Sequence, residues 1–379
     1  MKNIRCQIGL VAVLLLTLWS CEKNVDITFD ADNRTVNWTN AADSSSKALV
    51  NYFWNTQQKY FNNTNTGNTQ FNYWPQAHAL DIMVDAYART SDQSYLSYIN
   101  QWYDGVNAKN GNTFLNTFYD DMEWNALAML RAYNATKDEK FKTAVSTVWT
   151  DIQTGWNDIA GGGICWNKNQ TYNKNVPANA PACILAARLY QQFNNQSDLD
   201  WAKKIYDWMK STVFDAGTGF VCDGINGNND GKKSTWSFTY NQGTFIGSAL
   251  ELYKITKESI YLNDAIKAAD YALNSNTNSA DRLLKDEGNG DGGLFKGIFV
   301  RYFTQLILLP DLPEATRTRY ISFLKYNART LWLNGTSKAN VLYGTYWKTK
   351  PGTETDLPTE LSGGMLMEAA ALLNNKGLL

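Results

Sequence analysis

Apolar residues recur along most of this chain at the three- and four-residue spacing of a helix face, and the strict alternation typical of strands is scarce. The pattern is clearest where Ala126, Met129, Leu130 and Tyr133 fall at positions i, i+3, i+4 and i+7. Extended to the whole sequence, this spacing predicts about twelve helices, with the usual uncertainty of a residue or more at each boundary.

The helical segments also repeat one another. A segment rich in Ala and Leu with a Tyr near its end recurs along the chain, and each copy is followed by a polar turn and a second helical segment; the copies lie at 79–90, 126–136, 186–190 and 249–256. Two further pairs fall near 294–334 and 359–377. Repetition on this scale predicts stacked helical hairpins that share one core.

The predicted fold is therefore all-α, a closed (α/α)6 barrel of six helical hairpins in a single domain. An open array would need polar capping repeats at both ends. The last helical segment, Leu361–Leu373, is instead apolar and rich in Ala, as expected if it closes against the first. The even-numbered helices would form the inner ring, and the loops that enter their N-termini would meet at one end.

The Asp43–Ser46 segment is able to cap the first helix, which is predicted to run to about Phe61, so the barrel domain is placed at residues 44–379. Residues 21–43 are polar and aperiodic, and we interpret them as a tether.

A targeting segment is predicted at residues 1–20. Lys2 and Arg5 precede a short apolar run, and Leu18–Cys21 resembles a bacterial lipobox. The run is too short to span a membrane, so we expect a lipoprotein signal peptide that is cleaved before a lipidated Cys21. An uncleaved helical anchor is the alternative.

Composition excludes several classes of function. A net charge of −1 argues against a nucleic-acid partner. Once Cys6 and Cys21 are set aside, Cys165, Cys183 and Cys222 are left, and they lack the spacing of a zinc site. One disulfide between two of them stays open, and we predict neither a metal nor a cofactor. The Asn226–Asp230 and Glu287–Asp291 segments faintly resemble calcium loops but lack the acidic twelfth position, so solvated turns are the simpler interpretation.

Asp120 and Asp121 stand next to each other where a helix should begin, with Glu123 close behind. Acidic residues in a first helical turn are commonly explained by the helix dipole alone. Here, however, aromatic and apolar neighbours would lower the local dielectric and separate the two pKa values. One ionised and one protonated carboxyl are what a glycosidase requires.

The loops that would enter the inner helices hold the unusual residues of the chain, which are glycines, aromatic residues, amides and carboxylates. They are 73–75, 119–121, 161–166, 238–243, 292–297 and 357–360. Aromatic rings stack on sugars, and amides bind hydroxyl groups, so their coincidence predicts a carbohydrate cleft. The candidate substrate-binding residues are Trp74, Tyr119, Trp124, Trp166, Tyr240, Asn241, Gln242 and Lys296.

Three stretches, Phe118–Trp124, Tyr240–Gly243 and Phe295–Tyr302, resemble glycoside hydrolase family 76. This resemblance implies an (α/α)6 barrel and a retaining α-1,6-mannanase, with Asp120 as the nucleophile and Asp121 as the general acid/base. Together with the lipobox it implies a Bacteroidetes-type outer-membrane lipoprotein, on the cell surface or the periplasmic face. We expect an endo-acting monomer that degrades yeast or fungal mannan.

Two other interpretations stay open at this point. The protein could be an inverting glucanase or a lyase on the same barrel, and a lyase would use Tyr or His as its base. It could also be a non-catalytic glycan-binding lipoprotein, for which the aromatic residues suffice. His78 is the only histidine, and we expect it to be structural or a substrate contact.

Overall fold

Helices dominate the structure, a computed structural model that describes residues 34–379. Twelve α-helices occupy these residues, which confirms the predicted number. In chain order they are α1 (Trp38–Phe53), α2 (Tyr73–Thr90), α3 (Gln93–Lys109), α4 (Tyr119–Thr136), α5 (Glu139–Gln153), α6 (Ala180–Phe193), α7 (Gln196–Thr212), α8 (Thr239–Thr256), α9 (Ser259–Ser275), α10 (Asp291–Ile307), α11 (Glu314–Thr330) and α12 (Leu357–Asn375).

The even-numbered helices form a closed inner ring. Along this ring α2 packs on α4, α4 on α6, α6 on α8, α8 on α10 and α10 on α12, and α12 returns to α2. The odd-numbered helices lie outside, and α1 packs on α12. The fold is thus the predicted (α/α)6 barrel, closed where the apolar last helix meets the first.

Glycines let the inner helices approach one another closely. A Cβ atom at Gly243 of α8 would lie 2.5 Å from the Cα of Phe299 in α10. A Cβ at Gly297 of α10 would lie 2.7 Å from the Cα of Ser362 in α12. Both contacts are with backbone atoms, which cannot rotate away, so only glycine fits at these helix crossings.

The prediction for the first helix is wrong at both ends. The helix begins at Trp38, where the side chain of Asn37 caps it by accepting the backbone N–H of Asn40 at 3.0 Å. Asp43–Ser46 therefore lies inside the helix, and the predicted tether at 21–43 overlaps it. Ser45 fits there because its hydroxyl donates to the carbonyl four residues earlier. The helix ends at Phe53, and the chain then turns into a short hairpin.

Short antiparallel strands connect the helices, although hardly any alternation in the sequence predicts them. They are β1 (Trp54–Asn55), β2 (Tyr60–Phe61), β3 (Cys165–Asn167), β4 (Gln170–Asn175), β5 (Gly224–Ile225), β6 (Thr336–Ser337) and β7 (Leu342–Tyr343). Strands β3, β4 and β5 form one sheet with β4 in the middle. An isolated bridge between Phe118 and Asn167 joins this sheet to the start of α4, and the sheet thus becomes part of the barrel mouth.

The C-terminal halves of the inner helices are tied together by ion pairs. Arg131 of α4 binds Asp81 and Asp85 of α2, and Arg301 of α10 binds Asp85 at 2.8 Å. Arg188 of α6 binds Glu251 of α8 at 2.9 Å. These pairs surround a cavity of about 800 Å³ at the end opposite the predicted cleft, and they satisfy the charges that face it.

The predicted signal peptide and Cys21 lie outside the described residues. Between residues 34 and 379 we find no helix with the length and apolar character needed to cross a bilayer. Cys165, Cys183 and Cys222 are buried free thiols.

Candidate active site

The mouth of the barrel at the N-termini of the inner helices holds a cavity of about 1110 Å³. Asp120 and Asp121 occupy the first turn of α4 and line this cavity. Helix α4 starts without a side-chain cap at Phe118. The free backbone N–H groups and the dipole of the first turn therefore favour negative charge at the position of the two acids.

Asp120 is held by two N–H donors, one for each carboxylate oxygen. The backbone N–H of Asp121 donates to Oδ1 at 3.1 Å, and the indole N–H of Trp166 donates to Oδ2 at 3.1 Å. Burial raises the pKa of Asp120 to about 7, and these two hydrogen bonds oppose the rise by favouring the ionised form.

Asp121 has a different environment. Among the described residues, no hydrogen bond reaches its carboxyl group. Burial, followed by the negative charges of Asp120 and Asp291, raises the pKa of Asp121 well above its usual value. The two hydrogen bonds favour the ionised form of Asp120, and no such donor favours ionisation of Asp121. The surroundings therefore suit Asp120 to act as a carboxylate and Asp121 to act as an acid.

A third carboxylate in the cleft, Asp223, was missed by the sequence analysis. It precedes β5, lines the cavity and accepts hydrogen bonds through Oδ1 from the Tyr240 hydroxyl at 3.3 Å and the Asn241 amide at 3.0 Å. Burial raises its pKa, and its charge contributes to the raised pKa of Asp120. The sequence offers no signal for it, because a single Asp before a Gly- and Asn-rich turn is ordinary turn chemistry.

Four of the predicted aromatic residues line the cavity, as expected; these are Trp74, Trp124, Trp166 and Tyr240. Tyr240 stacks on Phe295, with ring centroids 3.9 Å apart and planes 3° from parallel. Trp166 packs against Phe118 at 5.1 Å. The cleft also contains aromatic residues that the prediction omitted, namely Phe118, Phe238, Phe295 and the exposed Trp236.

Four predicted substrate-binding residues do not line the cavity. Tyr119 is buried and its hydroxyl lies 3.3 Å from Thr154 on the outer side of the helix, since successive residues of a helix point about 100° apart. The buried Gln242 amide donates to the Val221 carbonyl at 3.1 Å.

Asn241 and Lys296 are the other two. Asn241 is fully buried and contributes through its hydrogen bond to Asp223. Lys296 is also fully buried, and its ammonium group donates to the Thr345 carbonyl at 2.6 Å and lies over the Trp347 ring. Burial lowers the pKa of Lys296.

The predicted loop at 357–360 is likewise absent from the cavity lining within the described part of the chain.

Glu123 and His78 lie beneath the cleft. Glu123 is fully buried, and burial and the charge of Asp120 raise its pKa well above the usual value, which favours its neutral form. His78 lies between the rings of Trp74 and Trp124, at centroid distances of 5.5 and 5.1 Å. Burial lowers the pKa of His78 to about 3, which makes it a neutral packing partner of these two cleft tryptophans.

No group of three or more His, Cys, Asp or Glu side chains within residues 34–379 is arranged to hold a metal ion. The mouth presents paired carboxyls among aromatic rings. Two carboxyl groups that flank a cleft able to hold a sugar are the arrangement that glycoside hydrolases use.

Comparison with known proteins gives the family. Residues 37–377 match the model of glycosyl hydrolase family 76, and the chain belongs to this family. It is similar to the α-1,6-mannanase of a Salegentibacter species, with 44% identity and a TM-score of 0.85 over 89% of this chain and 100% of that one.

Two further comparisons are informative. A variant of the Salegentibacter enzyme with two consecutive aspartates replaced by alanine is inactive, and its structure contains α-1,6-mannotetrose. This variant shares 43% identity with this chain at a TM-score of 0.86, over 89% of this chain and 100% of that one. The mannan endo-1,6-alpha-mannosidase DCW1 of Saccharomyces cerevisiae is 25% identical over 348 residues, which cover 85% of this chain and 74% of the yeast protein.

Proposed function

We propose that this protein is a retaining, endo-acting hydrolase of the α-1,6-mannosidic bonds in the backbone of yeast or fungal mannan. The observation that carries the proposal is the pair Asp120 and Asp121 at the mouth of a family 76 barrel. It is the only pair of consecutive aspartates in the sequence. The inactive variant of the Salegentibacter α-1,6-mannanase also carries replacements of two consecutive aspartates, which supports a catalytic role for this pair.

The two acids are assigned different roles because their surroundings differ. Asp120, with an N–H donor on each oxygen, attacks the anomeric carbon as the carboxylate. Asp121 donates its proton to the departing glycosidic oxygen. The resulting glycosyl ester on Asp120 is then hydrolysed by a water molecule, and Asp121 takes up the proton of that water.

Retention follows from the adjacency of the two residues. Retaining glycosidases place their carboxyl groups about 5–5.5 Å apart, and inverting enzymes about 6.5–9.5 Å apart to admit a water molecule. The Cα atoms of consecutive residues are about 3.8 Å apart. Side chains that leave the same helical turn into one cavity reach the shorter separation without splaying strongly.

The size of the cleft supports endo action, which is cleavage of bonds inside the polysaccharide rather than at its end. Its volume of about 1110 Å³ exceeds the roughly 300–1000 Å³ of sites for single small ligands. Trp74, Trp124, Trp166 and Tyr240 supply aromatic surface for sugar rings along it. The mannan substrate is supported by the names of the relatives, an α-1,6-mannanase and a mannan endo-1,6-alpha-mannosidase. We also expect the protein to be a monomer.

The test is incubation of the full chain with unbranched α-1,6-mannan and, in parallel, with a uronic-acid polymer. We expect short saturated manno-oligosaccharides from the mannan from the earliest time points. Ultraviolet-absorbing products from the uronic-acid polymer would indicate a lyase. Binding of mannan without any products would indicate a glycan-binding protein, and either result would contradict the proposal.

The lipid anchor is part of the proposal. The charged start, the apolar run and Leu18–Cys21 support a lipoprotein signal and acylation of Cys21, which would place the enzyme in the outer membrane. Cys21→Ala should release the protein from membranes, as measured by fractionation, and Cys6→Ala is the control that should not. Unchanged membrane association of Cys21→Ala would show that the N-terminal segment is a different kind of signal.

A further inference from the structure

One contact spans the mouth of the barrel. The indole N–H of Trp74, at the start of α2, donates to the Oδ1 atom of Asp291, at the start of α10, over 2.8 Å. In the inner ring α12 lies between these two helices. The hydrogen bond therefore joins the starts of the two helices that flank α12, across its N-terminal end, and residues 357–360 do not line the cavity found in the described chain.

The backbone that carries Asp291 is fixed on both sides. The Glu287 carboxylate accepts the backbone N–H of Thr239 in α8 at 2.9 Å. The backbone N–H of Gly290 donates to the carboxylate of Asp356, which caps α12, at 2.5 Å. The turn is also tightly folded, since a Cβ at Gly292 would lie 1.9 Å from the Glu287 carbonyl oxygen. The 287–291 turn is thus a rigid support for one exposed carboxylate.

The indole of Trp74 meets this carboxylate at the edge of the cavity. Its half-buried ring lines the cavity and contacts His78 edge to face. The hydrogen bond to Asp291 is the one polar contact recorded for the indole N–H in the described structure. Without it, a partly exposed tryptophan gains access to other rotamers.

We propose that Asp291 is a positioning residue, which holds the Trp74 indole across the end of α12 as a stacking wall for a sugar ring bound beside Asp121. This inference rests on the proposed function. Aromatic walls contribute to sugar binding only when the ring plane is presented correctly, so a loss of position should weaken binding.

Asp291 also acts on Asp121 through its charge, which helps to raise the pKa of that carboxyl. Replacement by Asn separates the two effects, because the amide oxygen still accepts the indole N–H but carries no charge. Asp291→Asn should therefore keep the KM of the native enzyme. The alkaline limb of its pH profile should move to lower pH, because Asp121 loses its proton more readily.

The experiment compares Asp291→Ala, Asp291→Asn and Trp74→Phe with the native enzyme on α-1,6-mannotetraose. Loss of one hydrogen bond to a charged acceptor predicts a rise in KM of about tenfold for Asp291→Ala and for Trp74→Phe. The double variant should be no worse than either single variant, because both remove the same contact. Glu314→Ala is the matched control, since Glu314 is also the first residue of a helix but lies on outer helix α11.

The same replacements are then made in a chain with Asp120→Asn and Asp121→Asn, and the Kd for the tetrasaccharide is measured by calorimetry. Here only positioning matters, so Asp291→Asn should bind like its parent and Asp291→Ala about tenfold more weakly. The positioning inference would be overturned if the effects of Asp291→Ala and Trp74→Phe were additive, or if Asp291→Ala left the Kd unchanged. Either result would leave the proposed function standing. Absence of binding and of cleavage in every variant would overturn the proposed function as well.

Discussion

Replacing Trp166 with phenylalanine removes the indole N–H that donates to Oδ2 of Asp120 and leaves an aromatic ring in its place. The hydrogen bond favours the carboxylate over the carboxylic acid, so its loss should raise the pKa of Asp120 above about 7. Since Asp120 must be ionised to attack, the acid limb of the pH profile should move to higher pH.

The size of the shift follows from the strength of the bond. Hydrogen bonds to charged groups contribute roughly 1.5–3 kcal/mol, and one pKa unit corresponds to about 1.36 kcal/mol. The Trp166–Asp120 distance of 3.1 Å is longer than the roughly 2.7–2.9 Å of strong charge-assisted bonds, which favours the low end of the range. We expect the acid limb to shift by about one pH unit. At pH values below the acid limbs of both enzymes, kcat/KM of the variant should then be about tenfold lower than that of the native enzyme.

The assay is kcat/KM on α-1,6-mannotetraose between about pH 5 and 9, because kcat/KM reports the ionisation of the free enzyme. Trp124→Phe is the matched control. It alters another cleft tryptophan, whose N–H is not recorded as bonded to either aspartate in the described structure, so the acid limb should stay in place. An acid limb that is unmoved or lowered in Trp166→Phe would refute the assignment of Asp120 as the ionised partner.

Two further predictions concern turnover and packing. Asp120→Asn and Asp121→Asn should each abolish nearly all turnover on mannan, and native kcat in either variant would disprove the role of that residue. Neither variant should melt at a lower temperature than the native protein at pH 8. Because folding raises the pKa of both carboxyls, the stability of the native protein falls as pH rises through these pKa values, and a neutral amide escapes this loss. Gly243→Ala should lower the free energy of unfolding by about 1–3 kcal/mol in denaturant melts, because its Cβ would meet the Phe299 backbone. Gly352→Ala, with open space around it, is the control, and equal stabilities would show that α8 and α10 separate without cost.

The helical architecture was predictable because a helix that buries one face leaves a strong periodic signal, and because the other segments lack the alternation of strands. The outer helices bury a single face, as α5 shows, whereas the inner helices α8 and α12 are buried nearly all round. The acid pair was predictable for a different reason, since two adjacent carboxyls between aromatic residues are hard to explain as solvated surface.

The errors have local physical causes. The start of α1 was misplaced because several residues in that region could act as caps. The observed cap is the earlier residue Asn37, and the helix that it starts buries Trp38 in the core. Strands β3, β4 and β5 are too short to produce a clear alternation. Tyr119, Asn241 and Lys296 were assigned to the cleft from residue type and loop position, which do not determine the direction in which a side chain points.

Asp223 marks the limit of what a sequence provides for this site. Its place in the cleft depends on the β4–β5 pairing and on hydrogen bonds from Tyr240 and Asn241, which belong to a helix that begins sixteen residues later at Thr239. Contacts of this kind are tertiary and leave no pattern in the surrounding residues. The pair Asp120 and Asp121 could be found from the sequence for the opposite reason, because both acids lie in one helical turn and are neighbours in the chain.

The central claim, that Asp120 and Asp121 form a retaining pair, is tested most directly by the anomeric form of the first product. The native enzyme is mixed with α-1,6-mannotetraose, and proton NMR spectra are recorded before the released sugars mutarotate. Attack by Asp120 followed by attack of water inverts the anomeric carbon twice, so the account predicts that the α-anomer appears first. An initial β-anomer would establish a single inversion and contradict the assignment of Asp120 as the nucleophile.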